Sequence, residues 1–368
     1  MPRFSKVLLA VGVWAFSAVA AIALPSSQGQ LQLAIMAEGL DEPWSFGFLP
    51  DDGFLVSERA GTLSYSPGDG NLQPVRGIPK IADIGQGGLL DILVPSDFAT
   101  TRRIYLSYAK RQKSGQGTAI GYGRLSEDNR RLEGFTQIFE MAPGSRGGRH
   151  FGSRIVEATD GTLFVTLGER GDRPAAQELS NHNGTIIRIT KDGHVPASNP
   201  FVGQAGAQPH IWSYGHRNPQ GAALDLSGQL WAVEHGARGG DEVNKIRKAA
   251  NYGWPVIAYG RHYSGAKIGD GTTKQGMEQP AHYWDPSIAP SGMMIYSGKL
   301  WPEWRGDIFV GSLKFDYISR LDGTPLREQE QIQSDQTIRV RDIREAPDGT
   351  IWYISVGDGV LYKLSPAP

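Results

Sequence analysis

Asp160-Gly161-Thr162-Leu163-Phe164-Val165 joins a turn to a strand. Gly after Asp supplies the positive φ of a two-residue hairpin turn, and the apolar run after it suits a buried strand. The arrangement recurs as Asp52-Gly53-Phe54-Leu55-Val56, Ser227-Gly228-Gln229-Leu230-Trp231-Ala232, Arg305-Gly306-Asp307-Ile308-Phe309-Val310 and Asp348-Gly349-Thr350-Ile351-Trp352-Tyr353. A degraded copy stands at Arg102-Arg103-Ile104-Tyr105-Leu106-Ser107. Taken at positions 53, 103, 161, 228, 306 and 349, the copies lie 50, 58, 67, 78 and 43 residues apart. A unit of about 40–50 residues, lengthened by insertions, is the period of a β-propeller blade. A β-sandwich would turn every 8–12 residues or so without a longer unit. The six copies therefore predict one all-β domain, a six-bladed β-propeller of four-stranded antiparallel blades. The longer steps predict loops gathered on one face around the channel, where ligands of such folds bind.

Composition agrees with this and excludes several functions. The 368 residues include 48 Gly and 23 Pro, and 39% are hydrophobic, enough for a sizeable core. With no Cys there are no disulfides, no thiolate chemistry and no Cys-bound metal or cluster. A formal charge of −1 leaves no electrostatic footprint for nucleic acid. At the N-terminus, Arg3 and Lys6 precede an apolar run from Val7 to Ala23 that ends in Ala21-Ile22-Ala23. This pattern predicts a secretory signal peptide over residues 1–23, with 24–368 forming the propeller. Removing Arg3 and Lys6 takes the formal charge from −1 to −3. The expected product is an exported protein, periplasmic in a bacterium, without stable membrane insertion, and a monomer or homodimer.

Chemistry must come from the loops. The eight His form no helical zinc-binding pair, and Gly-x-Ser-x-Gly, a Walker loop and a strand-borne GxGxxG are absent. His150 lies in the Gly-rich stretch Gly144-Ser145-Arg146-Gly147-Gly148-Arg149-His150-Phe151-Gly152, which lets backbone and ligand approach closely. Such a His can take up a proton at neutral pH, or simply cap a strand. Gly85-Gln86-Gly87-Gly88-Leu89-Leu90 reads as a turn before a strand or as a second ligand loop. Gly215-His216-Arg217-Asn218-Pro219-Gln220-Gly221 offers a guanidinium fork and an amide. Lys314, Arg339 and Arg341 are basic, and Arg339 and Arg341, two apart on a strand, would share one face. They are either an exposed basic surface or, with the other clusters, a site for a planar, carboxylate-bearing anion.

Together these segments resemble the soluble PQQ-dependent aldose sugar dehydrogenases, the soluble quinoprotein glucose dehydrogenase-like family. The motifs are Gly85-Gln86-Gly87-Gly88-Leu89-Leu90, Arg149-His150-Phe151-Gly152, Gly215-His216-Arg217-Asn218-Pro219-Gln220-Gly221, Asn251-Tyr252-Gly253-Trp254-Pro255, Leu313-Lys314 and Arg339-Val340-Arg341-Asp342. The resemblance runs from Trp44 to Arg341 and implies a six-bladed propeller holding pyrroloquinoline quinone (PQQ) and calcium over the channel. It implies His150 as catalytic base and Gln86, Arg217, Asn218, Lys314, Arg339 and Arg341 as contacts of the quinone. Gly236 and Ala237 match positions whose carbonyls hold the calcium that touches PQQ. Glu242 and the Tyr252 carbonyl match a second, structural calcium site. There are departures. Arg149 stands where the glucose branch has Asp, Ala237 where it has Pro, and Glu169 where it has an Asp near the sugar. The loop before Ile288-Ala289-Pro290-Ser291 does not align cleanly, so no sugar-stacking residue is implied.

The implied reaction oxidises an aldose at its anomeric carbon. His150 takes the hydroxyl proton, hydride passes to the quinone, Arg217 steadies charge on the quinone oxygen, and an external acceptor removes the electrons. Two other functions fit a six-bladed propeller: a calcium-dependent lactonase, which has no need of Lys314, Arg339 and Arg341, and a non-catalytic carbohydrate-binding propeller.

Overall fold

In the computed structural model, residues 22–367 are described. The 1–23 leader lies outside them except for Ile22 and Ala23, which begin a strand. Six antiparallel sheets account for nearly all regular structure. Blade 1 begins at the strand Pro43–Phe48, blade 2 at Leu89–Leu93, blade 3 at Ile155–Glu157, blade 4 at Pro219–Leu224, blade 5 at Pro290–Ile295 and blade 6 at Val340–Glu345. These six first strands touch one another in chain order, and the sixth touches the first, so the ring is closed.

All six repeats found in the sequence mark the same place, the connection between the first and second strands of a blade. Their geometry differs from a two-residue hairpin. In blades 1, 3, 4 and 6 the last paired residues are Phe48 and Phe54, Glu157 and Leu163, Leu224 and Leu230, and Glu345 and Ile351. Five residues therefore lie in each loop, closed by an Asp side chain such as Asp160, whose Oδ1 accepts from Thr162 N at 3.0 Å. The left-handed residue is the predicted Gly at 161, 228, 306 and 349, whereas in blade 1 it is Asp52, φ +63°. In blade 2 a short helix, Phe98–Thr101, precedes left-handed Arg102, which explains the degraded copy.

Hydrophobic packing lies between blades. Leu55 and Leu63 of blade 1 join Ile92, Ile104 and Leu106 of blade 2, and comparable clusters fill the five other seams. Ring closure uses the N-terminal strand Gly29–Ala37, which pairs with Val360–Pro366 as the fourth strand of blade 6. Ile22–Ser26 adds a fifth strand there, and Leu24 is fully buried. The channel is plugged by ions: Arg154 pairs with Asp91 at 2.7 Å and Asp342 at 2.9 Å, and Arg344 with the same two at 2.6 and 2.9 Å. All four are donated by or beside first strands, so the plug stitches blades 2, 3 and 6. Among the described residues no helix is long and apolar enough to cross a membrane.

Candidate active site

The two Gly-rich stretches dock on each other. Gln86 N donates to Gly148 O at 2.7 Å, and a Cβ on Gly85, φ +59°, would meet that oxygen at 2.2 Å. In return Gln86 Oε1 accepts from His150 N at 2.7 Å. His150 holds a left-handed φ of +55°, a strained state for a residue with a side chain, costing on the order of 1–2 kcal/mol. Gly168 makes room: a Cβ there would come within 2.0 Å of His150 O.

His150 Nδ1 lies 2.5 Å from Glu169 Oε2, which also accepts from Gly171 N at 2.8 Å. An ionised carboxylate accepts only, so Nδ1 carries the proton and Nε2 is left as the free base. Burial, helped by Arg217 and Arg149, pulls His150 below its usual 6.5 although Glu169 opposes this. Burial raises the Glu169 carboxyl, but the His150 ring and the Gly171 amide outweigh it and hold the value low. The resemblance put Glu169 where the glucose branch has an Asp near the sugar; its carboxylate contact here is to His150.

A cavity of about 550 Å³ is lined by Gln86, Lys314, Arg339, Arg341, Trp44, Gln220 and His235, with Glu42 and Arg59 also in its wall; His150 and Glu169 do not line it, and Gln86, bonded to His150 N, links the two. Arg339 is not on the strand, as its spacing from Arg341 suggested. The strand begins at Val340, and Arg339 precedes it with φ +54°. Both guanidiniums still line the cavity, because the left-handed residue redirects the chain. The partners of these cations are neutral: Arg339 donates to Leu313 O at 3.0 Å, Arg341 to Gln220 Oε1 at 2.8 Å, and Lys314 sits over the Phe315 ring. Asp342 beside Arg341 is taken by Arg154 and Arg344. Burial, with Arg339 and Arg154 nearby, pulls Arg341 down to about 10.

A second cavity of about 830 Å³ shares His235, Ala289 and Lys314 with the first, and its wall also includes Gly236, Ala237, Arg238, Tyr263 and Asp285. Arg217 is buried over the Trp254 ring, with Nη1 donating to His235 O at 3.2 Å and Nε lacking a partner. Asn218 does not line either large cavity; its Oδ1 accepts from Gly152 N at 3.1 Å and so braces the His150 loop.

Glu242, Tyr252, Gly236, Ala237 and Arg217 meet around a small cavity of about 20 Å³ with Glu234. That is room for one water-sized particle. Glu234 and Glu242 are paired directly across neighbouring strands, an arrangement that like charges disfavour. Asn244 donates to both, at 3.1 and 3.2 Å, while its own Oδ1 is buried without a partner. A Cβ on Gly236 would fill the space against Gly239 O and Gly240 O, at 2.3 and 2.4 Å. Among the described residues no three His, Cys, Asp or Glu side chains gather as a metal cluster. The donors are instead oxygens, one or two carboxylates plus carbonyls, which suit a hard cation.

His235 and Glu234 were missed in the sequence. Burial, then Arg217 and Arg341, holds the His235 imidazole neutral, and Glu234 accepts from His216 Nδ1 at 2.8 Å and Arg217 N at 2.6 Å. Their one local signal is position, directly before Gly236.

Comparison with known proteins follows the same lines. The family model described as glucose/sorbosone dehydrogenase matches residues 40–363. Aldose sugar dehydrogenase YliI of Escherichia coli strain K12 is 42% identical over 94% of this chain and 95% of its own. The solved apo form of the soluble aldose sugar dehydrogenase of Escherichia coli superposes with a TM-score of 0.89 at 41% identity, covering 92% of this chain and all of that one. The PQQ-bound aldose sugar dehydrogenase of Streptomyces coelicolor gives 0.75 at 26% identity, over 91% and 98%. With the family model spanning all six blades, the chain belongs to the glucose/sorbosone dehydrogenase family.

Proposed function

We propose that this protein oxidises aldose sugars at the anomeric carbon to lactones, with PQQ and calcium as cofactors and His150 as general base. The observation that carries the reading is the trio Lys314, Arg339 and Arg341, which line one cavity with Gln86, the residue bonded to His150 N, and have no carboxylate partner among the described residues. Three uncompensated cations suit a tricarboxylate. A neutral lactone would leave them repelling one another, which disfavours the hydrolase. The PQQ-bound relative supports the same reading.

When bound, PQQ supplies the electrophilic quinone carbon that accepts hydride. Calcium on the carbonyls of Gly236 and Ala237 would add Lewis acidity beside it. The residues do the rest. His150 Nε2 takes the anomeric hydroxyl proton, and Glu169 fixes the tautomer and steadies the imidazolium that forms. Arg217 Nε, buried and unpartnered, is a donor available to developing negative charge. Gln86 and Asn218 hold the backbone of the base loop from two sides. The N-terminal leader pattern supports a periplasmic site for this reaction.

Adding PQQ and calcium to purified apoprotein, then an aldose, tests the proposal. A change in quinone absorbance on binding and bleaching on addition of sugar are expected. Calcium-dependent lactone hydrolysis without PQQ would install the lactonase instead, and sugar binding without either would install a binding propeller.

Calcium at Glu242 has a pH signature. In the metal-free protein, burial and Glu234 push the Glu242 carboxyl up to about 8. The native value exceeds the unfolded one, so the stability this group contributes is present below about 4.5 and lost as pH rises through about 8. Melting temperature in chelator should fall across that window, and calcium should both raise and flatten the profile. Glu242→Gln should flatten it without calcium. A chelator-insensitive melting curve would remove the metal from this site.

A further inference from the structure

We propose that the loops around the active-site mouth form a docking surface for an acidic carrier protein that accepts one electron at a time. The proposal rests on the dehydrogenase reading, which leaves two electrons to be removed after each sugar.

Cations ring the mouth. Arg146 and Arg149 lie on the His150 loop, Arg173 follows Glu169, Arg238 follows Ala237, Arg261 lies opposite Arg238, and Lys314 stands where the two large cavities meet. All but Arg173 are exposed, and none is in an ion pair among the described residues. Arg173 bonds to a neutral acceptor, His262 Nδ1, at 2.7 Å. Asp172 and Asp285 are exposed on the same loops, and Glu42 and Asp83, also exposed, share Arg59; the unpaired cations still outnumber these acids. This occurs on a chain whose formal charge is −1, so the charge is segregated rather than general.

The rim is held in place. The Arg170 guanidinium donates to the carbonyls of Gly147 and Arg149, and Arg238 and Arg261 exchange backbone hydrogen bonds at 2.9 Å. Two large aromatics break the surface among these charges, Tyr263 at 72% exposure and Phe315 at 38%. Arginine with exposed aromatics is the composition of protein interfaces, not of an idle solvated face. A nucleic acid or lipid patch would have no reason to encircle a redox cavity. An acidic carrier would be steered to it, with association accelerated by 10- to about 10³-fold at low salt. Two carrier molecules, each with a ferric haem or cupric copper, accept one electron apiece; the reduced cofactor returns to the quinone and releases two protons to solvent.

The test uses holoenzyme, an acidic and a basic c-type cytochrome of similar potential, a small neutral dye, and Arg146→Glu, Arg261→Glu and their combination. Expected results are faster reoxidation by the acidic cytochrome, a fall of about 10-fold on raising salt to about 0.2 M, and a similar fall in the double variant. Calorimetry of apoprotein with the acidic cytochrome should show the same loss of affinity, and dye turnover should be unchanged. Equal rates with both cytochromes, or an unaffected double variant, would overturn the proposal. So would charge reversal that abolishes binding to anionic vesicles while sparing the cytochrome. Failure of dye turnover in the wild type would instead overturn the dehydrogenase reading.

Discussion

His150→Ala should slow reduction of bound PQQ by an aldose by roughly 10²–10⁴-fold, the usual contribution of a positioned general base. Cofactor affinity should change far less, because the cavity wall receives Gln86, Lys314, Arg339 and Arg341 from other loops. Glu169→Gln divides the effect. It keeps a hydrogen-bonding partner for Nδ1 but removes the charge that raises the imidazole, so the acid limb of the rate profile should move to lower pH as the rate falls. In the wild type that limb should already lie below 6.5, since burial holds His150 low. Stopped-flow absorbance of the quinone reads all of this. A wild-type rate in His150→Ala would remove it from the mechanism, and an unshifted limb in Glu169→Gln would reduce Glu169 to packing.

The turn before each second strand made the propeller legible, because the same place in every blade needs a left-handed residue and an Asp or its equivalent. The loop length escaped: a two-residue and a five-residue connection both call for Asp-Gly, and only the register of Glu157 against Leu163 distinguishes them. The fifth strand of blade 6 escaped because Ile22–Ser26 lies across the end of an apolar leader pattern. In the site, motifs announced His150 and Gln86 as separate loops, and their docking through Gly148 could not be read from either. Glu234 and His235 carry no motif, and Glu169 stood out only through the family resemblance, without its contact to His150. They matter through contacts made by ring closure and by pairing across strands, which sequence spacing does not encode. Arg339 shows the converse: the period-two argument put it beside Arg341 for a strand that does not yet exist at that position, and a left-handed backbone delivers it to the same cavity.

Arg341→Ala and Lys314→Ala should each weaken PQQ binding by about 1.5–3 kcal/mol, roughly 10- to 150-fold, the range for hydrogen bonds to charged groups. The physical reason is the absence of counter-charge. Arg154 and Arg344 consume Asp91 and Asp342 in the plug below, and Glu42 in the cavity wall is taken by Arg59, so the cations above are left with Gln220, Leu313 O and the Phe315 ring as partners. The depressed value of Arg341, about 10, records that desolvation and repulsion. An anion bearing several carboxylates relieves both at once. The empty cavity should therefore gain more thermal stability from PQQ in the wild type than in either variant. The variants without ligand should melt at or above the wild-type temperature, because deleting one of three repelling charges removes a cost. That second sign separates the reading from a general loss of packing, which would lower the melting temperature of the apoprotein. Calorimetric titration of PQQ into all three proteins, with melting curves at each end point, is the measurement. Equal affinities would leave Lys314, Arg339 and Arg341 as a solvated basic face and return the lactonase to contention.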